Sequence, residues 1–183
     1  MPPRRSEVDD AADFIGLLKA LVSRDVEFIA VGDVAGILAG SPVVTVVLEV
    51  TCQPSPENLS RLHEALETLN ARHYVRCEPG AELGPSELSA RQRHKLVTDL
   101  GRIDVVQEFG HGLDYDALKE NTIDYELDGL TVKALSLKTL IDEKEHSPRP
   151  EDRYSLLFLK KLAKMTGVAD EGLIGFGEPL RAS

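Results

Sequence analysis

The sequence contains no tryptophan, two cysteines and two methionines, and only 5% of its residues are aromatic. Two cysteines are too few for a disulfide framework, and reduced core thiols at Cys52 and Cys77 are the simpler interpretation. No apolar run is long enough to span a bilayer, and no signal-peptide pattern precedes the first helical pattern. We therefore expect a cytoplasmic protein that does not enter the membrane.

Basic residues are also scarce, since 21 lysines and arginines stand against 31 acidic residues and give a net charge of −10. This balance disfavours non-specific binding of nucleic acid or anionic membrane by the whole surface, although it leaves room for a local basic cleft. The five histidines show no spacing typical of a zinc site. P-loop, dinucleotide-binding and Gly-x-Ser-x-Gly motifs are absent from the sequence.

The chain of 183 residues suits one domain with a sizeable core. We predict a disordered lead-in at 1–8, a domain at 9–166 and a weakly ordered tail at 167–183. Apolar spacing and capping residues predict helices at Asp9–Ser23, Val34–Ala39, Pro56–Asn70, Asp114–Lys119, Ser136–Lys144 and from Pro150 to about Lys164. Strands are predicted at Val26–Val31, Val43–Val50, His73–Cys77, Arg93–Thr98, Arg102–Gln107, Ile123–Leu127 and Leu130–Ala134. Glu78–Ala90 is interpreted as a loop or lid.

The segment Phe28–Val50 carries the most informative pattern. It reads as a strand, a tight turn at Gly32, a short helix, a Gly-Ser-Pro loop and a second strand. Five residues of this segment form a first pattern: Gly32, Ala35, Gly40, Ser41 and Thr45. Thr98, Gly101, Asp104 and Val105 form a second pattern, and Leu137, Leu140, Ile141, Lys144, Arg149, Pro150 and Asp152 form a third.

These three patterns resemble those of the nucleotidyltransferase fold, in particular small bacterial nucleotidyltransferase-like proteins and AbiEii-type toxin enzymes. The resemblance covers about Phe14 to Lys164. It implies an α+β fold in which helices pack mainly on one face of a mixed β-sheet and C-terminal helices cover the site. Nucleotidyl transfer requires divalent metals held by carboxylates, and backbone N–H groups that receive the phosphates.

The resemblance implies a set of site residues. Catalytic roles fall on Glu49, Asp104 and Lys144, and Mg²⁺ or Mn²⁺, if the protein is active, would be held by Glu49 and Asp104. Nucleotide contacts fall on Gly32, Asp33, Gly40, Ser41, Thr45 and Arg149. If the protein is inactive, no cofactor is required.

The sequence departs from the family pattern at the positions that matter most for chemistry. The Asp-x-Asp pair is replaced by Val47 and Glu49, a second glycine is replaced by Asp33, and the basic position holds Val43 or Val44. Val47 cannot ligate a metal, and Glu49 is longer than the geometry of Mg²⁺ tolerates well. Asp33 as a helix N-cap would compete with an incoming phosphate.

Each candidate residue also has a structural interpretation. Asp33 either caps the helix or joins Glu49 and Asp104 in a rearranged carboxylate cluster. Glu49 pairs with a basic residue such as Arg102, whereas Asp104 on a central strand needs a partner. Lys144 and Arg149 either contact a nucleotide or serve as ordinary surface charges, and Ser41 and Thr45 either bind phosphate or end the helix and pack the strand. The basic cluster Arg91, Arg93, His94 and Lys95 is interpreted as a mostly solvated strand end.

Three functions follow from these alternatives. The first is a nucleotidyltransferase-family protein with impaired metal and phosphate sites that acts by binding a nucleotide or a partner without catalysis. The second is an active enzyme, similar to toxin relatives, that moves a nucleotide from an NTP to RNA or protein. The third is an antitoxin-like or oligomeric interaction protein, for instance a homodimer, in which the cleft plays no part.

Overall fold

The computed structural model describes residues 12–74 and 83–168. Its helices are α1 (Phe14–Val22), α2 (Gly32–Leu38), α3 (Pro56–Thr68), α4 (Pro85–Leu88), α5 (Tyr115–Lys119), α6 (Leu137–Glu145) and α7 (Pro150–Thr166). Its strands are β1 (Phe28–Ala30), β2 (Val47–Cys52), β3 (Arg72–His73), β4 (Arg93–Thr98), β5 (Gly101–Val106), β6 (Thr122–Leu127) and β7 (Leu130–Leu135). None of the helices in these two ranges is long and apolar enough to cross a membrane.

The strands form one mixed sheet of seven strands in the order β3-β4-β5-β2-β1-β7-β6. The pairs β2–β5 and β1–β7 are parallel, and the remaining neighbours are antiparallel. Helix α2 contacts β2, β7 and α6, and α6 in turn packs on α7. The predicted α+β architecture, with a mixed sheet and C-terminal helices packed over it, is confirmed.

The central strands present different chemistry on their two faces, because successive side chains of a strand point in opposite directions. Leu48, Val50 and Cys52 alternate along β2 and are fully buried, as is Ile103 on β5. Burial raises the pKa of the Cys52 thiol to about 12, so this cysteine is the core thiol that the sequence predicted. The opposite face of the same strands carries Glu49 and the residues beside it.

Local capping explains several of the helix starts. The side chains of Ser55, Asp114 and Ser136 each accept a hydrogen bond from a backbone N–H in the first turn of the helix that follows. The turn Asp128-Gly129 has positive φ at both residues, which suits a two-residue hairpin between β6 and β7. These predicted elements are confirmed.

Several predicted bounds are wrong: α1 begins at Phe14 instead of Asp9, and β1 spans only Phe28–Ala30. Two further differences have a clear physical reason. The second strand begins at Val47 instead of Val43, because Pro42 has no N–H to donate, Val44 is 86% exposed, and pairing with β5 starts only at Val47. Within the predicted loop, Pro85–Leu88 forms α4, in which a first-turn proline and the buried Leu88 favour a helical turn. The lead-in at 1–8, Cys77 and most of the tail lie outside the described residues.

Candidate functional site

Glu49 and Asp104 lie side by side on neighbouring strands. They are aligned in the parallel pairing of β2 with β5, so their side chains project from the same face of the sheet. Their side chains are 12% and 6% exposed. The structure thus brings together the two residues that the sequence predicted as metal ligands and forms a largely buried carboxylate pair.

The guanidinium of Arg93 lies against both members of this carboxylate pair. Its Nη2 atom lies 2.6 Å from Oε1 of Glu49, and its Nη1 atom donates to Oδ2 of Asp104 at 3.2 Å. The contact with Glu49 is an ion pair that is not aligned as a hydrogen bond. One cation of the same chain therefore offsets half of the formal charge of two carboxylates.

The sequence interpretation missed Arg93. It placed this residue in a mostly solvated strand end, and Arg93 is exposed there, but it assigned the residue no contact with the carboxylates. Glu49 pairs with a basic residue as expected, but this residue is Arg93 and not Arg102. In the hairpin register Lys95 opposes Asp104, so Arg93, two residues earlier, projects from the same face. That register follows from a turn centred on Asp99 and Leu100, and applying it would have identified Arg93.

The side chain of His94 projects from the other face of the sheet, because successive side chains of a strand alternate in direction. It is 2% exposed and lies on the opposite face of β4 from Arg93, so it is not part of a basic cluster. Burial lowers the pKa of the His94 imidazole. A neutral His94 therefore adds no positive charge to the site.

The residues present do not fit a divalent metal ion. Val47 offers no ligand, and the described parts of the chain contain no group of three or more His, Cys, Asp or Glu side chains that could hold one. The Arg93 guanidinium contacts the two carboxylates that would have to do so. Asp104 Oδ1 is buried and accepts no hydrogen bond from any described residue, but one free oxygen does not make a metal site.

The space beside the glycine turn before α2 is occupied by the side chain of Glu49. Gly32 has φ +64°, and a Cβ added there would lie 2.5 Å from Oε2 of Glu49. The helix begins at Gly32 with Val31 as its N-cap, and no side chain caps it, so the prediction that Asp33 is the cap is wrong. The carboxylates of Glu49 and Asp33 thus lie near the helix start, where a phosphate would otherwise meet free N–H groups.

Asp33 is held by Lys144 from the end of α6. The Lys144 amine lies 2.9 Å from Oδ1 of Asp33 and 2.5 Å from Oδ1 of Asp152 at the start of α7. Lys144 is 5% exposed as a residue, so its interpretation as a solvated helix charge is wrong. It joins three helices through one buried amine.

The carboxylate of Asp152 accepts hydrogen bonds from three side chains. Besides Lys144, it accepts from Ser147 Oγ at 2.6 Å and from Arg149 Nε at 2.7 Å. Burial alone raises the pKa of the Asp152 carboxyl, but the hydrogen bonds from Arg149, Lys144 and Ser147 outweigh burial and hold it well below its usual range. We refer to Asp33, Lys144, Ser147, Arg149 and Asp152 as the ion network.

The Arg149 guanidinium donates two hydrogen bonds to Asp152 within this ion network. Its hydrogen bond to Asp152 raises the pKa of the Arg149 guanidinium, which favours the structural interpretation of this residue. The sequence pattern matched Asp152 but gave it no role. An acid in the first turn of a helix, three residues after Arg149, was the available signal, because such an acid can bond the preceding arginine.

The remaining predicted nucleotide-binding residues lie in the loop before β2. Gly40 ends α2 with φ +101°, Ser41 Oγ accepts from the N–H of Val43 at 3.4 Å, and Thr45 Oγ1 accepts from the N–H of Val47 at 3.3 Å. Each of these contacts lies within the loop. They fit the interpretation in which Ser41 and Thr45 end the helix and order the approach to the strand.

A cavity of about 350 Å³ opens beside Asp33. The loop Pro42–Val44 forms one side, and Glu151, Tyr154, Ser155 and Phe158 of α7 form the other. Its lining is mainly apolar, with a carboxylate at Asp33 and another at Glu151. The cavity suits a neutral or partly apolar group better than a triphosphate.

No protein-family model matches the sequence, and no curated protein does so. Solved structures do match. The lincosamide antibiotic adenylyltransferase LnuA, bound to lincomycin, is 13% identical and aligns with 84% of this chain and 99% of its own, with a TM-score of 0.57. The antibiotic-resistance factor ANT(2'')-Ia is 13% identical and aligns with 84% of this chain and 82% of its own, with a TM-score of 0.52.

This chain has the nucleotidyltransferase fold. The likeness to AbiEii-type toxin enzymes in particular stays a prediction. Within this nucleotidyltransferase fold, the carboxylate pair and the turn at Gly32 occupy the positions that the sequence patterns assigned to metal and phosphate.

Proposed function

We propose that this nucleotidyltransferase-fold protein is not catalytic and acts by binding a nucleotide or a partner. One observation carries the proposal: the Arg93 guanidinium lies against both Glu49 and Asp104. The guanidinium offsets half of the formal charge of the carboxylate pair and would have to move before both carboxylates could ligate a divalent cation. Val47 removes a further ligand from the same face of β2.

The phosphate side of the site supports the same proposal. The carboxylate of Glu49 fills the space above Gly32, and Asp33 adds a second negative charge within the first turn of α2. A triphosphate would have to compete for the helix start with two carboxylates that are already paired with Arg93 and Lys144. Metal and phosphate are therefore both disfavoured, whereas the adjoining cavity is open to an uncharged group.

A second candidate is an active metal-dependent nucleotidyltransferase that transfers a nucleotide from an NTP to RNA or protein. It is favoured by Asp104 Oδ1, a buried oxygen without a hydrogen-bond donor among the described residues. Movement of Arg93 away from the pair would then be required before a metal could bind.

Thermal unfolding with each NTP, with and without Mg²⁺ or Mn²⁺, separates the two candidates. A ligand at ~100 times its Kd adds ~2.7 kcal/mol to the stability of the folded state. For a chain of this size each kcal/mol raises Tm by ~2–4 °C, so metal-dependent binding would give a shift of roughly 5–11 °C. We expect no metal-dependent shift and no transfer of label from α-labelled NTP to RNA or protein. A shift that needs Mg²⁺ and disappears in Asp104→Asn would overturn the proposal.

A double variant tests the reason for inactivity. Arg93→Ala removes the internal cation, and Val47→Asp adds a carboxylate on the face of Glu49, so together they should create a Mn²⁺-dependent rise in Tm. The matched control combines Arg93→Ala with Val46→Asp, which adds the same charge at a 53% exposed position in the loop before β2. If both variants gain the same Mn²⁺-dependent rise in Tm, the missing ligand at Val47 is not what prevents metal binding. If neither gains one, contact of Arg93 with the carboxylate pair is not what prevents it.

A further inference from the structure

Three strands at one edge of the sheet share a basic face. Arg72 on β3, Val97 on β4 and Arg102 on β5 are aligned across the sheet, so their side chains project from one face. Lys95 lies two residues from Val97 and projects from the same face. Tyr74 does so as well, because its N–H bonds to the carbonyl of Lys95 and continues the ladder. We call Arg72, Tyr74, Lys95 and Arg102 the basic face.

The cations of the basic face have no acidic partner among the residues that the structure describes. Arg72, Lys95 and Arg102 make no ion pair within 4.0 Å there, whereas the neighbouring Arg91 and Arg93 are both paired. The two acids that share this face, Glu49 and Asp104, are both in contact with Arg93. In a protein of net charge −10, three such cations on one surface form a local positive patch.

Tyr74 gives this patch an aromatic group. It is 44% exposed, and the guanidinium carbon of Arg102 lies 4.2 Å from the centre of its ring. A planar guanidinium on an aromatic ring forms a flat platform of the kind on which nucleobases stack. The strand pairing thus places an aromatic platform among cations that can meet phosphates.

We propose that the basic face binds single-stranded nucleic acid. Arg72 and Lys95 would contact the phosphates, and one base would stack against the Tyr74–Arg102 platform. A duplex hides its base faces, so a single strand uses both the charges and the ring, whereas a duplex would use the charges alone. This proposal does not depend on whether an NTP binds near Gly32, since its four residues belong to β3, β4 and β5 or directly follow β3.

Fluorescence anisotropy with a labelled oligouridylate of twelve nucleotides tests the proposal. We expect Tyr74→Leu to weaken binding roughly 5- to 150-fold, the effect of one lost stacked base, and Tyr74→Phe to retain it. The triple variant Arg72→Gln, Lys95→Gln and Arg102→Gln should reduce the slope of log K against log salt by about 1.4, since the phosphate contacts of Arg72 and Lys95 on a single strand account for ~0.7 each.

The matched control changes three lysines on other surfaces to glutamine. Lys138, Lys161 and Lys164 are exposed, and their replacement alters net charge by the same amount as the triple variant. We expect nearly unchanged affinity for the oligonucleotide. Thermal unfolding of every variant confirms that each is folded before its affinity is interpreted.

Three outcomes would overturn the proposal. They are an equal loss of affinity in the control triple variant, an affinity for a duplex of the same length that matches the single strand, and no effect of Tyr74→Leu. The last result, together with displacement by heparin, would mean that the patch attracts polyanions in general. Absence of an NTP effect in thermal unfolding bears only on the proposed function and leaves this test unchanged.

Discussion

Replacing Lys144 by methionine tests how strongly the ion network holds the C-terminal helices. The side chains of Lys144 and Asp152 are each 4% exposed, and their charged atoms lie 2.5 Å apart. Removing one partner of a buried ion pair costs about 3–5 kcal/mol, because the other charge stays buried. Methionine keeps most of the side-chain volume, so the loss reports the charge more than a cavity.

The expected value lies at the lower end of that range. Asp152 keeps the hydrogen bonds from Arg149 and Ser147 after the change, and Asp33 is one-third exposed and can be hydrated. We expect Lys144→Met to lower the unfolding free energy by about 3 kcal/mol and Tm by roughly 6–12 °C. Urea unfolding followed by far-UV circular dichroism measures this, since the chain has no tryptophan to serve as a probe.

Lys160→Met is the control for this measurement. The Lys160–Glu145 ion pair also joins α7 to α6, but its side chains are 48% and 40% exposed. An exposed pair of this kind contributes about 0–1 kcal/mol. Equal losses in the two variants would refute the view that the buried amine of Lys144 holds the helices together. A coupling energy near zero between Lys144→Met and Asp152→Asn in a double-mutant cycle would refute it independently.

Two further predictions concern Gly32 in the turn before α2 and the loss of stability at acidic pH. Gly32→Ala should lower the unfolding free energy by about 1–2 kcal/mol because of the positive φ at Gly32, and by a further amount because the added methyl group would meet Glu49. Gly129→Ala is the control, since Gly129 has a similar φ and nothing lies within 4 Å of a Cβ added there. Urea unfolding should show a smaller loss for Gly129→Ala. The pKa of Asp152 is lower in the folded than in the unfolded state, so its contribution to stability is present above about pH 4 and is lost as pH falls further. Asp152→Asn should therefore be less stable at pH 7 and lose less additional stability than the wild type between about pH 4 and 2; parallel pH profiles of unfolding free energy would contradict this.

Much of the fold could be predicted from the sequence because local signals were strong. Serine and aspartate caps fixed helix starts, the Asp128-Gly129 turn fixed the β6–β7 hairpin, and alternating apolar residues indicated the core strands. Predictions failed where exposure decided the outcome. Val43–Val46 has the composition of a strand, but in the structure it lies in the loop before β2 and has no partner strand in the sheet.

The candidate site was predictable in its positions but not in its contacts. The alignment of Glu49 with Asp104 followed from the pattern, whereas their contact with Arg93 depends on hairpin register. The contact of Lys144 with Asp33 and Asp152 depends on how α2, α6 and α7 come together. No local pattern encodes the contact with Asp33, since Asp33 lies far from Lys144 in the chain.

The parallel pairing of β1 with β7 has a consequence for synthesis of the chain. Strand β1 gains its antiparallel neighbour β2 early, but its other edge is covered only by β7, about 100 residues later. At ~5–20 residues per second, the ribosome leaves that edge uncovered for roughly 5–20 s. During this interval a buried apolar strand presents free backbone groups, which is the kind of edge that recruits other chains. Chains that end before Leu130 should therefore aggregate, and a chaperone that binds extended apolar segments has a defined window in which to act.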